Sequence, residues 1–271
     1  MKTILVATDF SAAASHAAEY AADMAMAIQA NLFILHVFQI PINYSEMPLA
    51  VSMEELMLGP KEEIIKLQNE LIQRTKNNIK IDSEVIEGLF FGELNTFCER
   101  LNPFSVIIGT QGKTRGERLF FGSEAIYTMK HLEWPIIAVP INSDYRNIQK
   151  IGLACDLNEL GEIPVDDIQI LAKDFNAELI VINTSKKETH SMHRDASSSA
   201  LFERFAESKP QYHFIYDKNV DEATLDFAEK SKLDLLIVLP KRHSLISQLL
   251  FKSHTREFVM HSHVPVMALH K

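Results

Sequence analysis

Three glycines and a serine in the first half of the chain have a spacing suited to holding phosphate groups. Gly109 lies three positions before Gly112, and nine residues separate Gly112 from the pair Gly122-Ser123. Glycine lets the backbone turn, and lets a ligand approach where a Cβ would stand in the way. We expect Gly122 and Ser123 to open a helix, whose free amides and positive dipole end favour a phosphate. Lys113 adds a compact positive charge beside the motif.

An aspartate that ends the first apolar run is the second candidate. Residues 4–7 are apolar and are followed by Thr8 and Asp9. In a parallel α/β sheet, ligands lie beyond the carboxyl ends of the strands, so Asp9 is placed to accept hydrogen bonds from adenine or ribose. On its own, the glycine spacing also fits an ordinary turn between a strand and a helix. Together with Asp9 it favours ATP binding.

The elements that must position these residues occur twice. The run from Ile4 to Asp9 has the same pattern as the run from Ile151 to Asp156, at an offset of 147. His36 and Asn183 each lie 27 residues after the aspartate of their own copy. The later runs match at an offset of 130, namely 106–108 with 236–238 and 135–139 with 265–269. Two homologous halves are therefore predicted, over residues 1–145 and 146–271.

The difference between the two offsets makes the second copy 17 residues shorter in its middle. We place that deletion after the second strand, where the first copy is predicted to have a loop from Phe38 to about Pro60, because loops tolerate changes in length.

Each half is predicted to be a doubly wound α/β domain with a five-stranded parallel sheet. Short unbroken apolar runs are typical of strands that are buried on both faces of such a sheet. In the first half these strands are predicted at 4–7, 32–37, 106–109 and 136–140. Helices are predicted at 11–29, 62–76, 94–101 and 123–131. Ser11 is placed to cap the first helix through its hydroxyl.

The composition excludes several classes of function. Asp and Glu number 36 against 27 Lys and Arg, a net charge of −9 that disfavours nucleic-acid binding. The sequence has no run of eighteen apolar residues, so no membrane span is expected. The two cysteines, Cys98 and Cys155, have no metal-binding spacing and suit a reducing compartment. The expected location is the cytoplasm.

The pattern as a whole resembles the universal stress protein family, in its ATP-binding branch. The resemblance covers essentially the whole chain, through the opening Ile4 to Ser11, the strand ending in His36-Val37, the glycine motif and the closing Trp134 to Pro140. It implies a Rossmann-like fold of the adenine nucleotide alpha hydrolase type, which pairs through its last strand. Two such domains in one chain would form that pair internally, as a pseudo-dimer, and a homodimer of two chains is a further possibility.

The resemblance also implies a set of binding residues. Asp9 and the backbone of Val37 would contact adenosine, while Gly109 and Gly112 would flank ribose and phosphate. Gly122 and Ser123 would hold the phosphates, and the predicted set also includes Thr8, Lys113 and Glu124. The expected ligand is ATP, with ADP or AMP as alternatives and with Mg²⁺ as a possible companion.

The second half departs from this pattern. At the 130 offset the three motif glycines become Leu239, Arg242 and Lys252, and only Ser253 matches, although Asp156 is retained. We expect no ATP binding of the family's kind in this half. Its basic residues, with Lys241 among them, fit either an anion site or a solvated loop.

The predicted function is regulatory rather than that of a fast enzyme, because no general base, paired carboxylates or acidic Mg²⁺ motif accompanies the glycines. The resemblance to universal stress proteins implies that slow ATP hydrolysis, or autophosphorylation at Ser123, would be compatible with this function. The alternative is a module that binds an unidentified protein partner and whose nucleotide site is vestigial. An adenylate-forming transferase is disfavoured, because Thr8 to Ser11 is not a pyrophosphate loop.

Several weaker signals are interpreted structurally. The histidines of 190–193 and of 261–263 favour solvent-facing or capping side chains over metal ligands. His36 is predicted to be a hydrogen-bonded core histidine, and Cys155 a buried thiol rather than a nucleophile. The methionine-rich run 43–59 fits loop or core filler better than a lid or a partner surface.

Overall fold

A computed structural model describes most of the chain, which divides into two compact units, residues 1–128 with 136–145 and residues 129–135 with 146–271. The described residues are 1–39, 52–110, 118–156, 163–186, 202–240 and 254–270, with side chains described throughout except at 118–123.

The first half contains a five-stranded parallel sheet with its helices in the crossover connections. Its elements are β1 (Thr3–Ala7), α1 (Ala12–Ala27), β2 (Asn31–Phe38), α2 (Met53–Arg74), β3 (Ile81–Glu87), α3 (Phe90–Leu101), β4 (Ser105–Gly109), α4 (Arg118–His131) and β5 (Ile136–Val139). The strand order is β3-β2-β1-β4-β5, and every described pairing is parallel. The predicted α/β fold class is confirmed.

The second half repeats this order. Its described elements are β6 (Lys150–Ala154), α5 (Val165–Phe175), β7 (Glu178–Ser185), β8 (Gln211–Tyr216), α6 (Val220–Lys230), β9 (Leu235–Val238), α7 (His254–His261) and β10 (Val266–Ala268). The strand order is β10-β9-β6-β7-β8, again parallel.

The strand registers reproduce the two offsets of the sequence repeat. Equivalent pairs are Ile4–Leu32 and Ile151–Leu179 between the first two strands of each half, and Val106–Ile136 and Leu236–Val266 between the last two. The connection from the second strand to the third covers residues 39–80 in the first half and 186–210 in the second, which places the 17-residue difference there. The pairing of the two halves and of two chains stays a prediction.

Helix α1 packs closely on β4, since a Cβ at Gly109 would lie 2.8 Å from the Ala13 carbonyl oxygen, and small side chains make up most of its buried face. Nine of its sixteen residues are buried, and seven of those are alanine. The predicted N-cap is confirmed, since the Ser11 hydroxyl accepts a hydrogen bond from the Ala14 amide at 3.1 Å. This close approach limits the size of the β4 side chain that can lie beneath the first turn of the helix.

Three predicted helix starts were too late. Helix α2 begins at Met53 instead of residue 62, because Ser52 and Glu55 form a capping box in which each side chain bonds the other's backbone amide. Pro60 lies inside this helix, so the predicted loop from Phe38 to Pro60 ends earlier. Helices α3 and α4 also begin four and five residues before their predicted starts at 94 and 123.

No helix in the described ranges combines the length and the apolar character needed to cross a bilayer.

Candidate functional site

Four of the predicted site residues lie at the carboxyl ends of three neighbouring strands. Thr8 and Asp9 follow β1, Val37 is the next-to-last residue of β2, and Gly109 is the last residue of β4. Since β2 and β4 flank β1 on opposite sides, the strand order reverses at β1. This is the point at which open α/β sheets bind ligands.

The turn from β1 to α1 is held by a series of local hydrogen bonds. The Thr8 hydroxyl accepts from the Phe10 amide at 3.0 Å, and one carboxylate oxygen of Asp9 accepts from the Ser11 amide at 2.9 Å. Phe10 has a φ of +59°. For a residue with a Cβ, this conformation costs on the order of 1–2 kcal/mol, so the surrounding contacts must maintain it.

Asp9 is half-buried and keeps one carboxylate oxygen available. Among the described residues, only its Oδ1 makes a hydrogen bond, the one to Ser11. A second carboxylate oxygen at a strand end can accept from a ligand hydroxyl or amino group. This arrangement fits the role that the sequence predicts for Asp9.

His36 lies one residue before Val37 and contacts the same turn. Its Nδ1 is 2.7 Å from the Thr8 carbonyl oxygen, and its ring lies 4.4 Å from the ring of Phe10. The predicted hydrogen bond of His36 is confirmed, but its placement in the core is wrong, because the side chain is half-buried near the end of the strand. Neither the conformation of Phe10 nor its packing against His36 could be predicted from the sequence.

The close packing of α1 explains why position 109 is a glycine. A Cβ at Gly109 would lie 2.8 Å from the carbonyl oxygen of Ala13 and 3.1 Å from the amide nitrogen of Ala14. Both are backbone atoms of the first turn of α1, which a side chain cannot displace at little cost. The sequence-based explanation, a close approach of ligand, is therefore not needed for this glycine.

Glu124 on α4 lies close enough to Asp9 for the two charges to interact. Gln39, which follows β2, donates a hydrogen bond to the Glu124 carboxylate at 3.4 Å. Burial raises the pKa of the Glu124 carboxyl, the hydrogen bond from Gln39 opposes the rise, and the charge of Asp9 adds to it. The structure thus brings together two predicted site residues that are far apart in sequence, and Gln39 is a member that the sequence missed.

Because the pKa of Glu124 is raised, replacing this carboxyl by a neutral group is predicted to increase the stability of the folded protein, by an amount that depends on pH. The folded state binds the proton of the Glu124 carboxyl more tightly than the unfolded state does. The contribution of this proton to folding stability is therefore complete below the ordinary glutamate pKa, and it is lost as the pH rises through the raised pKa. Glu124→Gln should therefore raise the melting temperature more at about pH 7 than at about pH 4.

Glu62→Gln, at an exposed position on α2, controls for the loss of one negative charge. A gain for Glu124→Gln that is equal at both pH values, or larger at the lower one, would contradict the prediction.

Four predicted residues are described only in part or not at all. Gly112 and Lys113 lie outside the described residues. Gly122 and Ser123 belong to α4, but only their backbone is described. Because α4 begins at Arg118, both residues lie inside the helix, and the expectation that they open it is wrong for the helix boundary.

The second half keeps the side-chain hydrogen bond to the strand-end carbonyl but differs in other positions of the site. The Asn183 side chain donates to the Cys155 carbonyl at 3.0 Å, as His36 does to Thr8. Leu239 replaces Gly109, and helix α5 begins at Val165, six residues later than the counterpart of the start of α1. Lys241, Arg242, Lys252 and Ser253 lie outside the described residues.

Cys155 and the histidines of 261–263 have structural explanations, while the histidines of 190–193 lie outside the described residues. Burial and the neighbouring charge of Asp156 raise the pKa of the Cys155 thiol to about 12, so the thiol stays protonated and is a poor nucleophile. His261 faces Glu257 at 3.5 Å and His263 faces Glu229 at 3.9 Å, carboxylate neighbours that the sequence did not predict. No group of three potential metal ligands occurs among the described residues.

Comparison with known proteins assigns the family. The universal stress protein family model matches residues 1–140 and again residues 147–270. A universal stress protein of Methanocaldococcus jannaschii is 28% identical over 141 residues, which are 51% of this chain and 81% of that protein.

Two solved structures share the fold over nearly the full length. A universal stress protein of Archaeoglobus fulgidus matches with a TM-score of 0.71 at 15% identity, covering 99% of this chain and 96% of that one. A functionally unknown protein of Pseudomonas aeruginosa matches with a TM-score of 0.61 at 13% identity, covering 99% of this chain and 92% of that one. With two copies of the family's domain in tandem, the chain belongs to the universal stress protein family.

Proposed function

We propose that the first half of the chain binds ATP and that the protein acts as a nucleotide-responsive regulator. The observation that carries this proposal is the convergence of Thr8, Asp9, Val37 and Gly109 at the point where the strand order reverses. Pre-formed sites of this kind need little rearrangement to bind a nucleotide.

Each residue has a role that its chemistry supports. The available oxygen of Asp9 accepts from adenosine, and the backbone at Val37 borders the base. Gly109, Gly112 and Lys113 border ribose and phosphate. Gly122 and Ser123 are assigned to the phosphates by the family resemblance and not as the start of a helix, because both lie inside α4. Two nearby carboxylates, Asp9 and Glu124, repel bare phosphates and fit the delivery of ATP as its Mg²⁺ complex.

A regulator is favoured over a fast enzyme because the described part of the site offers no evident general base. Burial keeps the pKa of Glu124 raised, but the side chain is already bonded by Gln39. Slow hydrolysis or autophosphorylation at Ser123 is compatible with this role. Sustained turnover faster than about one per second, an ordinary enzymatic rate, would contradict it. The free thiols of Cys98 and Cys155 suit a cytoplasmic setting.

The second candidate is a protein-interaction module with a vestigial nucleotide site. The observation in its favour is the second half, which keeps the hydrogen bond to the strand-end carbonyl of Cys155 but carries Leu239 in place of glycine. A fold retained without its glycine motif supports an architecture that needs no nucleotide.

Calorimetric titration of the full chain with ATP and Mg²⁺ tests the proposal. We expect one nucleotide per chain with micromolar affinity. Two nucleotides per chain at equivalent affinity would contradict the silent second half. Absence of binding would overturn the proposal and leave the interaction module as the better account. ADP and AMP are titrated in parallel, to test whether the site prefers one of these nucleotides to ATP.

A further inference from the structure

The hydrogen bond from His36 to the Thr8 carbonyl can be made in only one way. A carbonyl oxygen only accepts, so the 2.7 Å contact requires a hydrogen on Nδ1 of the imidazole. Nδ1 carries that hydrogen in the protonated ring and in one neutral tautomer. The bond therefore does not depend on the protonation state of His36, and it fixes the tautomer of the neutral ring.

The second half makes the same bond without an imidazole. Asn183 occupies the position of His36 at the offset of 147, and its amide donates to the Cys155 carbonyl, the counterpart of the Thr8 carbonyl, at 3.0 Å. The backbone bonds agree as well, since the Thr8 amide donates to Leu35 at 2.9 Å and the Cys155 amide donates to Ile182 at 3.0 Å. What the two side chains share is a donor N–H that reaches across the strands.

The carbonyl that His36 holds belongs to the peptide that leads into Asp9. The same imidazole packs against Phe10, the residue with positive φ on the other side of Asp9. His36 thus contacts the chain immediately before and after Asp9, and limits where its available carboxylate oxygen can point.

We propose that His36 is a positioning residue of the nucleotide site, acting as a hydrogen-bond donor that orients Asp9, and that asparagine can replace it. This inference rests on the proposed ATP binding of the first half. It assigns no proton transfer to the imidazole, because Asn183 makes the equivalent bond without one.

Three variants of the full chain separate the donor from the ring, with ATP·Mg²⁺ as the titrant. His36→Asn keeps a donor and loses the ring, and we expect its affinity to stay within about threefold of the unmodified chain. His36→Phe keeps the ring against Phe10 and loses the donor, and we expect a loss of about tenfold, the equivalent of about 1.4 kcal/mol. Asn183→Leu removes the matching donor from the second half and should leave the affinity unchanged.

Circular dichroism and melting temperature establish that each variant is folded before it is titrated. If His36→Phe does not fold, His36→Leu takes its place as the variant without a donor. A tenfold loss in His36→Leu beside retained affinity in His36→Asn supports the donor role, and a tenfold loss in His36→Asn overturns it. Equal affinity of a folded His36→Phe also overturns the inference. If the unmodified chain binds no ATP, the proposed function fails, and this inference fails with it. Binding by the unmodified chain with no effect of His36→Phe rejects the positioning role alone.

Discussion

Replacing Gly109 by alanine is expected to lower the free energy of unfolding by about 1–3 kcal/mol, the usual cost of forcing a methyl group into a packed interior. The new Cβ would lie 2.8 Å from the Ala13 carbonyl oxygen, inside the closest separation that such atoms adopt. Relief requires movement of the first turn of α1, which the Ser11 cap and the bonds at Thr8 and Asp9 hold in place. Denaturant unfolding of the two proteins measures the difference.

The same movement would displace Asp9, so the Gly109→Ala variant should also bind ATP more weakly. Gly92→Ala is the matched control, because Gly92 lies in α3 and a Cβ there meets no atom within 4 Å. Alanine at a helical position of that kind stabilises by about 0.5–1 kcal/mol. Unchanged stability of Gly109→Ala would show that α1 adjusts freely and that the glycine is retained for the ligand instead.

Local and periodic features of this fold could be predicted from the sequence. The repeat at offsets of 147 and 130 reappears as equivalent strand registers. Both strands of a pair are related to their counterparts in the second half by the same offset, so the same positions face each other. The Ser11 cap depends on a neighbour three residues away, and it was correct. The early start of α2 was also predictable, since Ser52 and Glu55 have capping-box spacing, but the predicted loop extended to about Pro60.

The site itself depends on contacts between distant parts of the chain, which periodicity does not encode. Gly109 was predicted as a place where a ligand approaches the backbone, and the structure gives a different reason for the glycine, because the backbone that it must accommodate lies 96 residues earlier, at Ala13. The interaction of Glu124 with Asp9, and the bond from Gln39, arise only when α4 packs beside the ends of β1 and β2. A single sequence offers no signal for such pairings.

Asp9→Asn is expected to weaken ATP binding by about tenfold to a hundredfold, the loss that corresponds to a hydrogen bond made by a charged group. Asparagine can keep the bond to the Ser11 amide through its side-chain oxygen, so the turn is preserved. Its other side-chain atom is an NH₂ group, which donates where the carboxylate oxygen of Asp9 would accept from adenosine. Calorimetric titration with ATP and Mg²⁺ measures the change.

Asp156→Asn provides the control that the repeat itself supplies, because Asp156 holds the equivalent position in the half that lacks the glycines. We expect its ATP affinity to equal that of the unmodified chain.

The direction of the Asp9→Asn effect also separates two roles of the carboxylate. If Asp9 acted only as a negative charge near the phosphates, as it acts on Glu124, neutralising it would strengthen binding. Weaker binding identifies Asp9 as a group that accepts a hydrogen bond from the nucleotide, and stronger binding would contradict that assignment.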